Sequence, residues 1–500
     1  MVCVLFSFRG YAQTPVRTDI LLKNNWLSTA DDKNSNACNG FEQATYKPTN
    51  WKPVTVPHNW DQCEGYRRLK HGNRHGYAWY RTSFKVNQAT AGKRVFLFFE
   101  GVGSYATVWL NGKKVGYHAG GRTTFTLDVT GAIKPNQQNL LAVRADHPAS
   151  IQDLPWVCGG CSDEVGFSEG SQPMGIFRPV HVIITNPVRI EPFGVHVWND
   201  TTVSEKSAVL NMQTEIKNYS SRDKKITIVN TLLDAAGKPV KQTQTDQIIA
   251  SGAAVTIPQT VSISGAHLWS LEHPYLYKLV TEIKENGKVT DRQITPYGIR
   301  WISWPIGRAG NSKQFLLNGK PVFINGIAEY EHQMGNSHAF TDAEIHTRVM
   351  QVKATGFNAF RDAHQPHNLA YQNYWDELGI LWWPQFTAHI WYDSPAFRES
   401  FKTLLTDWVK ERRNNPSNIL WGLQNESKLP EAFAKECSDI IRKLDPTASS
   451  QRKITTCNGG SGTDWDVPQN WTGTYGGDPQ TYATDLQKQI LVGEYGAWRN

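Results

Sequence analysis

The sequence predicts a chain of three domains: a jelly-roll β-sandwich over 14–187, an immunoglobulin-like β-sandwich over 188–299, and a (β/α)8 TIM barrel over 300–500. Three observations carry that reading. Five hundred residues exceed one ordinary domain. The first 300 residues alternate short β-patterned runs with turns and show no sustained helical period. After Ile299, strand-like and helix-like stretches alternate, which is the rhythm of a barrel.

In chain order, the opening "MVCVLFSFRGYAQTP" has a short apolar run, Val2 to Phe6, followed by small residues. It reads as the remnant of an export signal over residues 1–13, which predicts a secreted or periplasmic protein. Seven cysteines are present. Cys3 would leave with the signal, and the six that remain are compatible with disulfides outside the cytosol. Cys158 and Cys161 form a lone C-x-x-C, read as a loop-stiffening disulfide because no second pair or histidine stands at zinc-ligand spacing. Runs such as "RVFLFFEGV", "ATVWLNGKKVGYH" and "TFTLDVTG", with Asn111-Gly112 as a tight hairpin, make up the first sandwich. "SAVLNMQTEIKNY", "KKITIVNTLLD" and "PYLYKLVTEIKENGKVTDR" belong to a second, of the size and turn spacing of a seven-stranded immunoglobulin-like domain.

"FLLNGKPVFINGI" then turns at Asn318-Gly319 and opens the barrel. Strands are expected to end near Ala328, Ala363, Gln385, Leu423, Thr456, Tyr475 and Gly493. Helices are expected over Ala396–Arg413, with Phe397, Phe401, Leu404, Trp408 and Val409 on one face, and over Leu429–Leu444. That is seven strands in about 200 residues, where a barrel takes ~250 and eight. The expectation is therefore a barrel lacking its last strand.

The composition, 39% hydrophobic and 19% charged, is globular. No apolar run reaches the ~20 residues of a membrane-spanning helix. The net charge of +7 comes from scattered basic residues without a Lys/Arg block, which argues against a nucleic-acid partner. Nineteen tryptophans exceed ordinary core needs. Sugars lay their C–H faces on aromatic rings, so some of these point to a carbohydrate partner, while large plugs in β-rich cores account for others.

In "NPSNILWGLQNESKLPE", Asn425 and Glu426 stand where an apolar strand, Asn418–Leu423, gives way to a loop. Catalytic side chains of a barrel come from such strand ends. In "KQILVGEYGAWRN", Glu494 follows the strand Ile490–Gly493 in the same way. The count puts Glu426 after the fourth strand and Glu494 after the seventh, facing each other across the barrel mouth. A lone strand-end glutamate is ordinarily half of a structural ion pair. Two that converge meet the requirement of glycoside hydrolysis, one protonated to serve the leaving oxygen and one ionised to attack or to activate water.

These segments together resemble glycoside hydrolase family 2, which includes β-galactosidases, β-glucuronidases and β-mannosidases. The resemblance spans nearly the whole chain after residue 13. It rests on "AWYRTSFKV", "FEGVGSYATVWLNGKKVGYHAGG", "GIFRPVHV", "YGIRWI", "FLLNGKPVFINGI", "FNAFRDAHQPHN", "RNNPSNILWGLQNES" and "GEYG", in that order. It implies a retaining exo-β-glycosidase, with β-galactosidase the leading specificity and β-glucuronidase or another family specificity the alternative; no cofactor is expected, and no metal, since the metal-binding carboxylates of some galactosidases are not recognisable here. It makes Glu426 the acid/base and Glu494 the nucleophile, and has Asn425 bind the sugar 2-hydroxyl. Arg361 would keep Glu494 ionised, Tyr475 would donate a hydrogen bond to it, and His364 and Trp498 would line the sugar pocket. In this family a jelly-roll loop can reach the barrel mouth, which implies that Asp153–Phe177 packs there and that Trp156 or a nearby acidic residue shapes the pocket. A non-catalytic carbohydrate-binding protein on the same scaffold is the rival from another class, and self-association as a homo-oligomer is compatible with the sequence.

The chain departs from the family pattern in several places. "EYEHQ" puts Tyr330 and His332 where other types are usual, Pro384-Gln385 replaces Asp-Glu, and Ala497 stands where galactosidases often have histidine. These departures bear on the substrate and leave the two carboxylates untouched.

Overall fold

The computed structural model describes residues 16–31, 40–60, 74–86, 91–149, 151–156, 173–306, 314–331, 338–389, 391–427, 429–470 and 491–495. Tyr475, Trp498, His332, Ala497, Cys158, Cys161 and the expected export signal lie outside them.

The first sandwich packs a four-stranded sheet on a six-stranded one. Alternate residues of the facing strands, among them Tyr80, Leu97, Val108 and Val143, form one buried core. Asn111 and Gly112 take positive φ (53° and 82°) and join Tyr105–Leu110 to Lys113–Ala119 as the expected two-residue hairpin. The second sandwich pairs a three-stranded sheet with a four-stranded one, seven strands in all, around a core that includes Ile216, Ile228 and Leu279. Asn318-Gly319 turns the short hairpin that leads onward.

The barrel strands and helices follow as β1 (Gly326–Tyr330), α1 (Asp342–Ala354), β2 (Ala359–Ala363), α2 (Leu369–Leu378), β3 (Leu381–Trp383), β4 (Gln385–Ala388), α3 (Pro395–Arg412), β5 (Leu420–Asn425), α4 (Glu431–Leu444), β6 (Lys453–Cys457), β7 (Trp465–Val467), β8 (Gln469–Asn470) and β9 (Glu494–Tyr495). All neighbouring pairs among these strands are parallel. Pro384 separates β3 from β4 and Pro468 separates β7 from β8, because proline has no N–H to give to the ladder. Both proline carbonyls still accept across the sheet, from Gly422 (3.0 Å) and Gly493 (2.8 Å). β3 with β4 is thus one strand, the third, and β7 with β8 is the sixth. At Gly422 a Cβ would lie 2.7 Å from the Pro384 carbonyl oxygen, so only glycine permits this approach.

α3 lies within one residue of its expected bounds. Ser394 caps it by accepting from the Phe397 N–H, Pro395 occupies its first turn, and its buried face carries Phe397, Phe401, Leu404, Trp408 and Val409. Two expectations are corrected. β6 and β7 are joined by residues 458–464 without a helix. Asn458, Gly460 and Gly462 take positive φ there, and the Asp466 carboxylate accepts from Thr456 and from the Gly459 and Gly460 N–H groups, closing the turn. Glu494 opens its strand, where the sequence places it just beyond one.

"NPSN" explains how the fourth strand is seated. Asp376 of α2 accepts from the Asn415 amide (2.6 Å), the Ser417 N–H (3.1 Å) and the Ser417 hydroxyl (2.5 Å), while the Asn418 carbonyl accepts from Arg300 and Arg452. Deeper in the strand, Trp421 donates to Asp445, which also pairs with Arg452. Burial opposes the Asp445 charge, but Arg452 and the hydroxyl of Thr447 are among the groups that hold its carboxyl down to about 2.

Asp362 of β2 points away from the barrel interior and accepts from the Trp382 indole at 2.8 Å. Burial pushes its carboxyl up to about 8, against the opposing effects of Trp382 and Arg412. A carboxyl that stays protonated to higher pH when folded than when unfolded makes stability fall as pH rises from about 4 through about 8. Asp362→Asn should therefore raise the thermal midpoint at pH 9 by roughly 2–4 °C and alter it little at about pH 4. An equal shift at both pH values in thermal unfolding would contradict this.

Candidate active site

Three strand ends bring the expected residues together, and a fourth adds His389. On β2, alternation turns Arg361 inward between the ends of β5 and β9. Its Nη1 donates to Glu494 Oε1 (2.6 Å) and to the Gly493 carbonyl (3.0 Å), and its Nη2 donates to Asn425 Oδ1 (2.6 Å). The guanidinium also lies 4.5 Å from the Trp383 ring centroid. Burial opposes its charge, yet the adjacent Cys457 and Glu494 more than offset this and hold its pKa above the usual value. One arginine thus fixes Glu494 against the residue that precedes Glu426.

β5 ends at Asn425, and the chain then turns sharply. Glu426 takes φ +52°, unusual for a side chain other than glycine or asparagine, while its N–H donates to the Cys457 carbonyl at 3.1 Å. This turn lifts its carboxylate off the strand. Glu426 is 32% exposed at the side chain and Glu494 13%, so one carboxylate reaches solvent while the other lies sheltered against Arg361. His389, at the end of the third strand, sets Nδ1 3.3 Å from Glu426 Oε2. His364 sets Nε2 3.7 Å from Glu494 Oε1, and its Nδ1 meets Gln385 Oε1 at 2.6 Å. The two imidazoles stand edge to face, 6.4 Å apart. Glu494 and Glu426 are therefore linked twice, through Arg361 and Asn425 and through His364 and His389.

The structure brings Arg361, His364, Asn425, Glu426 and Glu494 into one constellation. Trp156 is a correction. It reaches the barrel from the jelly roll as expected, but its ring is buried against Phe386 (centroids 5.5 Å) and its indole N–H is committed to the Phe386 carbonyl at 2.6 Å. A ring with no free face cannot stack on a sugar. Trp156 instead fastens the first domain to the third barrel strand, where Thr387 also donates to the Pro155 carbonyl. Trp156→Ala should cost about 3–5 kcal/mol of stability and reduce turnover by loosening the strand that leads to His389. Thermal unfolding and kcat/KM measured together check this.

Sequence reasoning missed three neighbours. His389 follows an apolar run without a motif to mark it. Gln469, just after Pro468, donates to Asn425 Oδ1 at 3.2 Å. Cys457 is a buried free thiol, pushed up to about 12 mainly by burial, and its Sγ stands where a Cβ on residue 493 would come within 2.5 Å. Cys437 is likewise free and buried, so two of the six cysteines expected to suit disulfides are thiols. Among the described residues, no group of three His, Cys, Asp or Glu side chains is placed to hold a metal ion, and no helix is long and apolar enough to cross a membrane.

Comparison with known proteins bears on this arrangement. Residues 70–153 match "Glycosyl hydrolase 2 galactose-binding domain-like", 188–300 match "Glycosyl hydrolases family 2" and 310–467 match "Glycosyl hydrolases family 2, TIM barrel domain". The chain belongs to glycosyl hydrolase family 2. This family 2 chain is 30% identical over 399 residues to β-galactosidase BoGH2A of Bacteroides ovatus, covering 77% of the chain and 44% of that protein. It is 26% identical over 525 residues to a β-glucuronidase of Bacteroides fragilis, covering 99% of the chain and 70% of that protein. It spans 58% of a β-glucuronidase of Formosa agariphila described as such by inference, to which it is 28% identical over 99% of its own length. In fold it is similar to the crystal structure of Bacteroides uniformis β-glucuronidase, with a TM-score of 0.81, 23% identity, and coverage of 96% of this chain and 58% of that one.

Proposed function

We propose that this family 2 protein is a retaining exo-β-glycosidase that removes terminal β-linked sugars by double displacement. The observation that carries the reading is the Arg361 fork, which holds Glu494 and Asn425 side by side with Glu426 next in sequence. In the first step Glu426 gives its proton to the glycosidic oxygen as the Glu494 carboxylate attacks the anomeric carbon. The aglycone departs and the sugar remains esterified to Glu494. In the second step Glu426, now ionised, takes a proton from water, which attacks the same carbon and releases Glu494. Two inversions give net retention. Arg361 keeps Glu494 charged and therefore nucleophilic, and Asn425 binds the 2-hydroxyl as positive charge builds on the ring. This mechanism needs the carboxyl groups ~5–5.5 Å apart, where inversion needs ~6.5–9.5 Å, so the retaining reading expects the shorter separation between Glu426 and Glu494.

β-Galactosidase is the leading specificity. β-Glucuronidase is the second reading, favoured by the β-glucuronidase relative that aligns with 99% of this chain. The test is hydrolysis of a panel of aryl β-glycosides by the protein, with products analysed with and without a sugar acceptor. Cleavage of the galactoside supports the first reading, cleavage of the glucuronide the second, and transfer to the acceptor in place of water marks a transglycosidase. Saccharide binding without cleavage of any glycoside would favour a carbohydrate-binding protein and remove the proposal.

A further inference from the structure

The six-stranded sheet of the jelly roll has a second face, turned away from the sandwich core. Strand pairing fixes what it presents. Tyr77, Asp146 and Tyr105 form one cross-strand row, and Trp79, Arg144, Thr107 and Tyr117 form the next. In that second row Trp79, stacked on Trp109, and Thr107 are buried, so Arg144 and Tyr117 are the side chains it offers to a ligand. Their sequence neighbours Ala78, Tyr80, Val143, Ala145, Ala106 and Val108 are the residues buried inside the sandwich. Tyr105 and Tyr117 lie nearly parallel, 15° between planes and 6.4 Å between centroids. Tyr117 is 53% exposed. Arg144 lies 5.0 Å from the Tyr77 ring and makes two hydrogen bonds to Asp146, at 2.7 and 2.8 Å.

A relay of contacts joins this face to the candidate active site. The Tyr105 hydroxyl donates to Asp153. Asp153 begins the short segment whose Pro155 carbonyl and Trp156 indole are bonded to the third barrel strand, two and three residues before His389. His389 in turn meets Glu426. Just beyond His389, Trp391 and Tyr392 pack on Phe397 of α3, with ring centroids 5.6 and 5.8 Å away. Gly120, at the end of the Tyr117 strand, abuts Leu404 of the same helix. Phe397 and Leu404 are separated by roughly 10 Å along the helix axis. Tyr105, Trp391 and Tyr392 all pack against the same apolar cluster.

We propose that this sheet face, together with Trp391 and Tyr392, is a binding track for the saccharide on the leaving-group side of the scissile bond. The inference rests on the glycosidase reading above. The acid/base lies beside the leaving oxygen, so the units beyond that oxygen depart past Glu426 and the loop that follows His389. The chemistry along that path suits a neutral saccharide. Aromatic faces accept the C–H faces of sugar rings. The paired Arg144 and Asp146 offer donors and acceptors without net charge, which gives an anionic polymer no advantage.

The test compares aryl β-galactosides and β-glucuronides with di- and tetrasaccharides ending in the same sugars. The variant is Tyr117→Ala, at an exposed ring whose loss leaves the core intact, checked by an unchanged thermal midpoint. The track predicts that the ratio of tetrasaccharide to aryl-glycoside kcat/KM falls about tenfold, in line with the loss of one aromatic contact. An unchanged ratio overturns the track and leaves the glycosidase reading standing. A second measurement, titration of the tetrasaccharide into the Glu494→Gln protein with and without Tyr117→Ala, separates the two ideas. About tenfold weaker binding supports the track even if no glycoside is cleaved. Equal affinity, or no binding to either protein, overturns it.

Discussion

Glu494→Gln should bring hydrolysis of every glycoside below detection, because an amide cannot form the glycosyl ester. Glu426→Gln should behave differently. It should slow substrates with poor leaving groups by about 10²–10⁴-fold, the range for loss of a general acid, and activated aryl glycosides far less. An activated phenol leaves as its anion and needs little protonation. Steady-state kinetics on a leaving-group series tests the distinction. The geometry supports it, since Glu494 lies sheltered and charge-paired to Arg361 while Glu426 is more open and beside His389. Equal damage from Glu426→Gln across the series would contradict the roles.

Arg361→Met should be the next most damaging change, lowering kcat/KM by roughly 10²–10³-fold, the scale of losing one well-placed electrostatic contact in a water-poor site. Three hydrogen bonds would go together, to Glu494, to the Gly493 carbonyl and to Asn425. Glu494 would lose its charge partner and Asn425 its alignment. Arg361→Lys should recover only part of the loss, because an ammonium lacks the planar fork that spans both side chains. Full activity in the lysine variant, measured on the same aryl glycoside, would show that charge alone suffices and that the fork is incidental.

Much of the architecture was legible because local chemistry and tertiary context agree. Asn111-Gly112 and Asn318-Gly319 are hairpins wherever they are flanked by alternating strands. The apolar stripe from Phe397 to Val409, with Ser394 and Pro395 ahead of it, admits little other than a helix of that length. Glu426 and Glu494 were readable because each stands at a strand boundary in a counted series. Boundaries were less so. The fourth strand begins at Leu420 where Asn418 was expected, because Asn415 to Asn418 are held by Asp376, Arg300 and Arg452 and not by a ladder. The bare turn from β6 to β7 was invisible, since its closure depends on the Asp466 carboxylate lying downstream of it. The sequence implicates Trp156 or a nearby acidic residue in shaping the pocket, because no pattern tells a ring that faces a sugar from one that plugs a domain interface. The same limit hid the buried Glu331, which pairs with Arg122 and Arg178 of the jelly roll. Such contacts join residues more than 150 positions apart, and periodicity carries no information at that range.

The central claim is that Glu494 is the nucleophile of a retaining reaction. Its most direct test is to trap the intermediate. The protein would be incubated with an activated glycoside of whichever sugar the panel shows to be cleaved, carrying fluorine at C2 so that the second step is slowed more than the first. Digestion and mass spectrometry then locate the attached sugar. The account predicts one fluoroglycosyl group per chain, on Glu494 and absent from Glu494→Gln. A label on another residue, or an active enzyme whose first-formed product has the inverted anomeric configuration, would contradict it.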